Sequence, residues 1–293
     1  MKEEIIIMDQ FAAVGILTYS EINIKLPAIV IFNAGLVHRP GVNRAHVKLA
    51  RKLCREGYNV FRFDYSGQGD SIAYPGILKN KNEVSYVTRV LDVLGKKLKS
   101  DEFILAGICS GAEDSYNIAL IDNRIRGVMM VNGTGLSVHH YNQLYPEAKK
   151  KIQMRYYKKI LADIDEQVPV KNGKKVVISV QEVHSPGRNF FNGEPEAAYI
   201  NYPGRMPDPF EALKQKNIVF LLVLTEGSPA FDLINIIYKK NKSPDFEYVF
   251  IKEADHNITP VWAQYELHDK IIGWCNKWFK QNQDTWENSN APV

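Results

Sequence analysis

Apolar and polar positions follow two recurring patterns along most of the chain. Short runs such as residues 28–32 and 218–224 are apolar throughout, which is typical of strands buried on both faces of a sheet. Between such runs lie longer segments such as residues 82–99, in which apolar side chains recur at the spacing of one helical face. A repeated succession of strand and helix predicts a mostly parallel sheet covered by helices.

The patterns predict eight strands, at residues 4–8, 12–18, 28–32, 58–63, 101–106, 127–132, 217–224 and 246–251. Helices are predicted near residues 43–55, 82–99, 112–120, 146–163, 229–240 and 259–280. The first two strands are short, and we expect them to form an antiparallel hairpin at the edge of the sheet.

The succession of strands and helices stops between about residues 135 and 213 and then resumes. The intervening stretch is rich in Tyr, Lys, Pro and Asn, and its position predicts a cap or lid, residues 136–212, inserted after the sixth strand. Residues 1–135 and 213–282 would then form one α/β core. The last residues, 283–293, are polar and are expected to be loose.

Composition narrows the choice of function only slightly. The net charge of +4 is mild, and no Lys/Arg run is interleaved with aromatic residues in the way that a strand-binding groove needs, so no nucleic-acid partner is expected. Cys54, Cys109 and Cys275 lie far apart without a CxxC pair, which argues against a disulfide framework and a zinc site. We predict no cofactor. No stretch is long enough to cross a bilayer, and the apolar run at residues 5–8 is too short for a signal sequence, so a cytoplasmic protein is expected.

The most informative stretch is Gly107-Ile108-Cys109-Ser110-Gly111, which lies between a predicted strand and a predicted helix. Strand, tight turn and helix form the context of a nucleophile elbow, here with cysteine at the place of the usual serine. Glycine is expected at both ends because a Cβ there would crowd the adjacent strand and helix. The helix N-terminus is expected to favour the thiolate of Cys109. The alternative is that Cys109 is a small apolar core residue.

A general base should follow the last strand, because catalytic groups in a doubly wound sheet lie at the carboxyl ends of its strands. His256 comes directly after the strand at residues 246–251 and is predicted to be this base. Other histidines are assigned to loops or to superficial helical positions: His38, His139, His140, His46 and His268.

The acid that orients the base is less sharply defined. Ser228 stands where an acid would be expected after the strand at residues 217–224. Asp232 and Glu226 flank that position, and either could accept the imidazole Nδ1 hydrogen bond. We favour Asp232 as the acid. The alternative is that Asp232 only stabilises the first turn of a helix. Asp255 adjoins His256 in sequence, but neighbouring side chains in a loop usually diverge.

An oxyanion hole needs backbone N–H groups directed at the developing negative charge. The N–H of Ser110, directly after the candidate nucleophile, is the first predicted donor. The second is predicted in the loop after residue 32, at Gly35 or Leu36.

Beyond these local patterns, the chain resembles an α/β-hydrolase along nearly its whole length apart from the cap. Residues 62–71, Arg-Phe-Asp-Tyr-Ser-Gly-Gln-Gly-Asp-Ser, resemble the R-x-D-x-x-G-x-G-x-S segment after strand four in many members. The loop containing Gly35, Arg39, Gly41 and Arg44, with the Gly-Ile-Cys elbow, is most similar to the exosortase-A-system-associated hydrolases, which also carry cysteine. Cysteine-centred triads are similarly found in dienelactone hydrolases and in aminoacyl shuttles of nonribosomal peptide assembly.

The resemblance implies that Cys109 and His256 are catalytic. The predicted function is acyl transfer, or hydrolysis of an ester or thioester, through an S-acyl intermediate on Cys109. The alternative is a binding protein on a degenerate hydrolase fold. Lys and Arg residues at 149–159 are interleaved with tyrosines on a predicted helix. They form either a solvated face or a docking surface for an acidic acyl carrier protein that delivers the acyl substrate.

Overall fold

The structure is a computed structural model of the chain. It describes residues 1–8, 13–22, 24–35, 37–72, 83–133, 170–171, 174–175, 209–226, 228 and 244–281. The strands are β1 (Lys2–Met8), β2 (Ala13–Tyr19), β3 (Ala28–Phe32), β4 (Val60–Asp64), β5 (Phe103–Ile108), β6 (Ile125–Val131), β7 (Val170–Lys171), β8 (Lys174–Lys175), β9 (Val219–Thr225) and β10 (Phe246–Ile251). The helices are α1 (Ala45–Arg55), α2 (Glu83–Leu98), α3 (Ser110–Ile121), α4 (Pro209–Gln215) and α5 (Val261–Cys275), and single turns at Val42–Arg44 and Asn276–Lys280 flank α1 and α5.

Eight of these strands form one sheet in the order β1-β2-β4-β3-β5-β6-β9-β10. β1 pairs with β2 and β2 with β4 in antiparallel fashion, whereas all other neighbours are parallel. The predicted eight-stranded, mostly parallel sheet and its antiparallel edge hairpin are therefore confirmed. β7 and β8 form a separate two-stranded hairpin.

The continuously apolar strands are buried because helices cover both faces of the sheet. In β3, Val30 and Phe32 pack in one core with residues of α2 and α3, whereas Ile29 and Ile31 pack in a second core with residues of α1 and α5. This alternation follows from the two-residue repeat of a strand, which directs successive side chains to opposite faces.

Several predictions about single side chains can be checked in these cores. Cys54, Cys275 and Met129 are buried, as expected for core residues. The expectation that His268 is superficial is wrong, since only 1% of this residue is exposed. His268 lies on the face of α5 that packs towards α1 and the sheet, one residue after the buried Leu267.

The chain leaves the sheet after β6 and returns to it at β9, with the β7–β8 hairpin and α4 between. The body of the predicted cap, residues 136–212, lies outside the described residues apart from these short elements. The helices predicted at 146–163 and 229–240, and the tail 283–293, also lie outside them. None of the helices in the described ranges is long and apolar enough to span a membrane.

Candidate active site

The predicted elbow forms a sharp turn between β5 and α3. Cys109 has φ 56° and ψ −119°. A positive φ of this kind is strained for a residue with a Cβ. Its N–H donates to the carbonyl of Val131 at the end of β6 (2.9 Å), and its own carbonyl accepts from Ala112 in the first turn of α3. The turn therefore fixes Cys109 at the carboxyl edge of the sheet.

Two glycines allow this turn to close. A Cβ on Gly107 would lie 2.0 Å from the carbonyl oxygen of Gly111, and a Cβ on Gly111 would lie 2.6 Å from that of Asn33. Both distances are far below van der Waals contact with backbone atoms, which have little freedom to move. The helix, the elbow and the loop after β3 can approach this closely only without those side chains.

The Cys109 side chain is half-buried, and burial raises the pKa of its thiol. The Ser110 N–H, which opposes that shift, is outweighed, and the carboxylate of Glu113 adds to the increase in pKa. Desolvation disfavours the charged form more than the helix N-terminus favours it. The first N–H of α3 lowers the pKa as expected, but burial raises it by more, so the net shift disfavours the thiolate.

His256 follows β10, at the same edge of the sheet as Cys109. Burial lowers the pKa of its imidazole, and the neighbouring Asp255 opposes this shift only partly. Its buried Nδ1 has no hydrogen-bond partner among the described residues. At neutral pH the imidazole is therefore uncharged, as a group that accepts a proton must be.

Neither Glu226, the described acid candidate, nor Asp255 accepts a hydrogen bond from this Nδ1. The carboxylate of Glu226 accepts from the backbone N–H of Glu253 (2.9 Å). That of Asp255 accepts from the backbone N–H groups of Asn257 (2.9 Å) and Thr259 (3.0 Å) and so organises its own loop. Asp232, the acid favoured from the sequence, lies outside the described residues.

The two described candidates for the oxyanion hole contact each other. The N–H of Gly35 donates to the hydroxyl of Ser110 (2.7 Å), and the carbonyl of Gly35 accepts from the amide of Gln68 (3.1 Å). The loop after β3 is thereby held against the elbow on one side and against the Gly-rich turn after β4 on the other. The third candidate, Leu36, lies outside the described residues.

A buried carboxylate fixes this loop further, and sequence reasoning gave it no individual role. Asp64, at the end of β4, accepts from the backbone N–H of Arg39 (2.6 Å), from the Arg39 guanidinium and from the amide of Asn33 (3.2 Å). The Arg39 guanidinium also contacts Asp70. The signal was present in the sequence, because Asp64 and Asp70 belong to the segment that resembles the hydrolase motif.

A second residue that sequence reasoning missed is Asn132, directly after β6. Its amide nitrogen donates to the backbone carbonyl of His256 (2.7 Å), and its amide oxygen accepts from the backbone N–H of Thr225 (2.8 Å). Asn132 is 3% exposed and has φ 51°. Asparagine tolerates this left-handed conformation better than most residues, and that preference is the only local signal for it.

The described residues offer no obvious metal centre. Among them, no group of three or more His, Cys, Asp or Glu side chains is arranged to hold a metal ion.

Comparison with solved structures places this arrangement in a known fold. No protein-family profile matches the sequence, and no curated protein matches it. An α/β serine hydrolase homologue from Coxiella burnetii superposes with a TM-score of 0.55 at 16% identity, over 93% of this chain and 96% of that one. A dienelactone hydrolase from Anabaena variabilis has a TM-score of 0.56 at 10% identity, over 96% and 100%. The thioesterase domain from the curacin biosynthetic pathway has a TM-score of 0.53 at 17% identity, over 93% and 99%.

At such low identities the likeness shows the fold alone. The sheet order, the flanking helices and these structures together establish that the chain has the α/β-hydrolase fold. The predicted fold class is thus confirmed, whereas the chemistry of the site has to be argued from its own residues.

Proposed function

We propose that this protein cleaves esters or thioesters, or transfers their acyl groups, through an S-acyl intermediate on Cys109. The observation that carries the proposal is the backbone of Cys109, held at φ 56° in the turn between β5 and α3 at the carboxyl edge of the sheet. A core cysteine needs no such strained conformation, whereas a nucleophile that must be presented at the edge of a sheet does. The hydrolases and the thioesterase domain that share the fold support the same class of reaction.

The direction of both pKa shifts defines how the thiol would be activated. The thiol of Cys109 and the imidazole of His256 are both uncharged at neutral pH, because burial disfavours the ionised form of each. The proton therefore passes from Sγ to the imidazole as the sulfur attacks the acyl carbon, in the manner of a serine hydrolase. No preformed thiolate–imidazolium pair is needed.

The remaining steps return the site to its starting state. The tetrahedral oxyanion is stabilised by backbone N–H groups, for which Ser110 and Gly35 are the described candidates and Leu36 a further one. As the intermediate collapses, the leaving group takes the proton from His256 and the thioester stays on Cys109. His256 then deprotonates water or another acceptor, which attacks the thioester, and the departing sulfur takes this proton back from His256 to give the thiol. Asp232 is the proposed acid that orients the imidazole.

The sulfur favours transfer over plain hydrolysis. A thiolate is a better leaving group than an alkoxide, so an acyl group on Cys109 can pass to an amine or another thiol at little cost in free energy. We propose a small acyl substrate, delivered either free or on an acidic acyl carrier protein.

The test is direct detection of the acyl-enzyme. The full chain is incubated with acyl-N-acetylcysteamine thioesters of increasing length, and its intact mass is measured by mass spectrometry before and after incubation. An added acyl mass that is absent in Cys109→Ala, with loss of turnover in that variant, is the expected result. Full turnover by a folded Cys109→Ala variant would end the covalent mechanism.

A second candidate function is ligand binding without catalysis on the same fold. It is favoured by one observation, the absence of a partner for His256 Nδ1 among the described residues. Under this alternative, thioesters bind without acylating Cys109, and His256→Ala leaves the affinity unchanged. Slow reaction with thiol reagents at neutral pH does not separate the two candidates, because the raised pKa of Cys109 predicts it for both.

A further inference from the structure

The side chain of Asn132 joins the loop of His256 to the end of a neighbouring strand. One end of its amide donates to the His256 carbonyl, and the other accepts from the N–H of Thr225 at the end of β9. The Thr225 hydroxyl lies 3.2 Å from the same amide oxygen and 3.0 Å from the carbonyl of Asp255, which precedes His256. Two successive carbonyls of the loop are therefore fixed from the ends of β6 and β9.

The residues on either side of Asn132 contact the elbow. The carbonyl of Val131 accepts the hydrogen bond from the N–H of Cys109. A Cβ on Gly133 would lie 2.9 Å from the carbonyl oxygen of Cys109 and 2.3 Å from the Cβ of Ala112, so the chain there lies directly against the elbow. Residues 131–133 thus hold Cys109 through their backbone and His256 through one side chain.

We propose that Asn132 is a positioning residue that sets the placement of His256 relative to Cys109. This inference rests on the proposed function, in which these two side chains exchange a proton. The bond to the His256 carbonyl is part-buried and short (2.7 Å), and its donor, Asn132, directly follows a strand of the central sheet. Such an anchor holds the imidazole on rigid structure although His256 itself lies in a loop.

The backbone at Asn132 supports this assignment. The residue is in the left-handed region, and its N–H donates to the carbonyl of Val223 on β9 (2.9 Å). The backbone turn at the end of β6 is thereby fixed before the side chain makes any contact. The amide extends from this fixed turn across the end of β9 to the histidine loop.

Two variants remove the hydrogen bond from Asn132 to the His256 carbonyl in different ways. Asn132→Asp keeps the oxygen that accepts from Thr225 but replaces the donor to His256 with an oxygen that cannot donate. Asn132→Gly suits the left-handed backbone, introduces no charge and removes the side chain. Matched controls are Asn217→Asp and Asn217→Gly, since Asn217 has φ 55°, is exposed and lies before β9 at the opposite edge of the sheet.

Each variant is assayed as the full chain with p-nitrophenyl acetate. In both Asn132 variants we expect kcat to fall by about 10- to 100-fold, the loss typical of a misaligned reacting group, with KM changed by less than about threefold. The Cε1–H NMR resonance of His256, assigned through His256→Gln, should shift in both of them. Neither quantity should change in the Asn217 controls. A kcat within about twofold of the unmodified protein in either Asn132 variant, or an unmoved His256 resonance, overturns the proposal.

The two readouts also distinguish this proposal from the proposed function. The resonance of His256 is recorded without substrate and reports its placement whether or not Cys109 is a nucleophile. If Cys109→Ala retains full turnover, the covalent mechanism fails, and the bond from Asn132 to His256 then has no role in that mechanism. If Cys109→Ala is inactive and the Asn132 variants turn over normally, only the positioning role fails.

Discussion

The hydroxyl of Ser110 accepts a 2.7 Å hydrogen bond from the backbone N–H of Gly35, 75 positions earlier in the chain. The elbow thus occupies the N–H group that is the proposed second oxyanion donor. For this N–H to bind an oxyanion, it must exchange one acceptor for another. The Ser110 hydroxyl therefore competes with the oxyanion for Gly35, unless it donates to the oxyanion itself.

Ser110→Ala distinguishes these two roles. The backbone N–H at position 110 remains, and the N–H of Gly35 loses its competing acceptor, so we expect kcat to stay within about threefold of the unmodified protein or to rise. Ser115→Ala is the control, because the Ser115 hydroxyl is bonded to the Gly111 carbonyl within α3. A kcat loss of about 100-fold in Ser110→Ala alone would make the hydroxyl itself an oxyanion donor.

The buried carboxylate of Asp64 should dominate the stability of the loop after β3. The Asp64 side chain is 0% exposed, whereas that of Asp70, which contacts the same Arg39 guanidinium, is 62% exposed. Asp64→Asn leaves Arg39 without its buried partner, and we expect it to lower the free energy of unfolding by about 3–5 kcal/mol. Asp70→Asn should cost only a small fraction of that, since water already screens the contact. Urea denaturation measures both, and equal losses would contradict the assignment.

The close approach at the elbow makes Gly107 intolerant of any side chain. Its Cβ would lie 2.0 Å from a backbone oxygen, and we expect Gly107→Ala to lower the free energy of unfolding by about 3 kcal/mol or more. The control is Gly273→Ala within α5, where a Cβ has no atom within 4 Å. Alanine loses less backbone conformational entropy on folding than glycine does, so Gly273→Ala should raise the free energy of unfolding by about 0.5–1 kcal/mol. Thermal unfolding should therefore shift in opposite directions, and a shift in the same direction would contradict the model of steric closure.

The buried imidazole of His268 should make the protein less stable in mild acid. Burial lowers its pKa to about 4, with Lys52, His46 and Lys48 adding to the effect and Asp269 opposing it. The unfolded chain binds a proton there below pH ~6.5, and the folded protein does so only below about 4, so stability falls as pH decreases between these values. The loss due to this group is about 3 kcal/mol.

His268→Gln should flatten the dependence of unfolding free energy on pH between about 6.5 and 4. The exposed His38 provides the control, because His38→Gln makes the same substitution at the surface. Urea denaturation at intervals of pH measures the slopes. If both variants retain the slope of the unmodified protein, the buried imidazole is not its source.

Local pattern was sufficient for most of the fold. The predicted strand at residues 28–32 has the bounds of β3, because a continuous apolar run leaves few alternatives. The predicted strand at residues 246–251 has the bounds of β10, although Glu247 interrupts its apolar run. The sequence predicts the elbow because two glycines flank Cys109 between a strand and a helix, although only the steric constraint at Gly107 operates within these five residues, whereas that at Gly111 comes from Asn33. The burial of His268 also follows from local pattern, because position 268 lies three residues before Ile271 and seven before Cys275, on the buried face of α5.

The succession of strands and helices, the turn at Cys109 and the strand end before His256 follow from the amino-acid sequence alone. These features depend on side-chain periodicity and on sterics between near neighbours. The tertiary structure alone decided that the thiol is neutral, because desolvation depends on everything packed around the sulfur. It also decided that the Asn132 amide meets the carbonyl of His256, 124 positions away, because such a bond forms only after the ends of separate strands have been brought side by side.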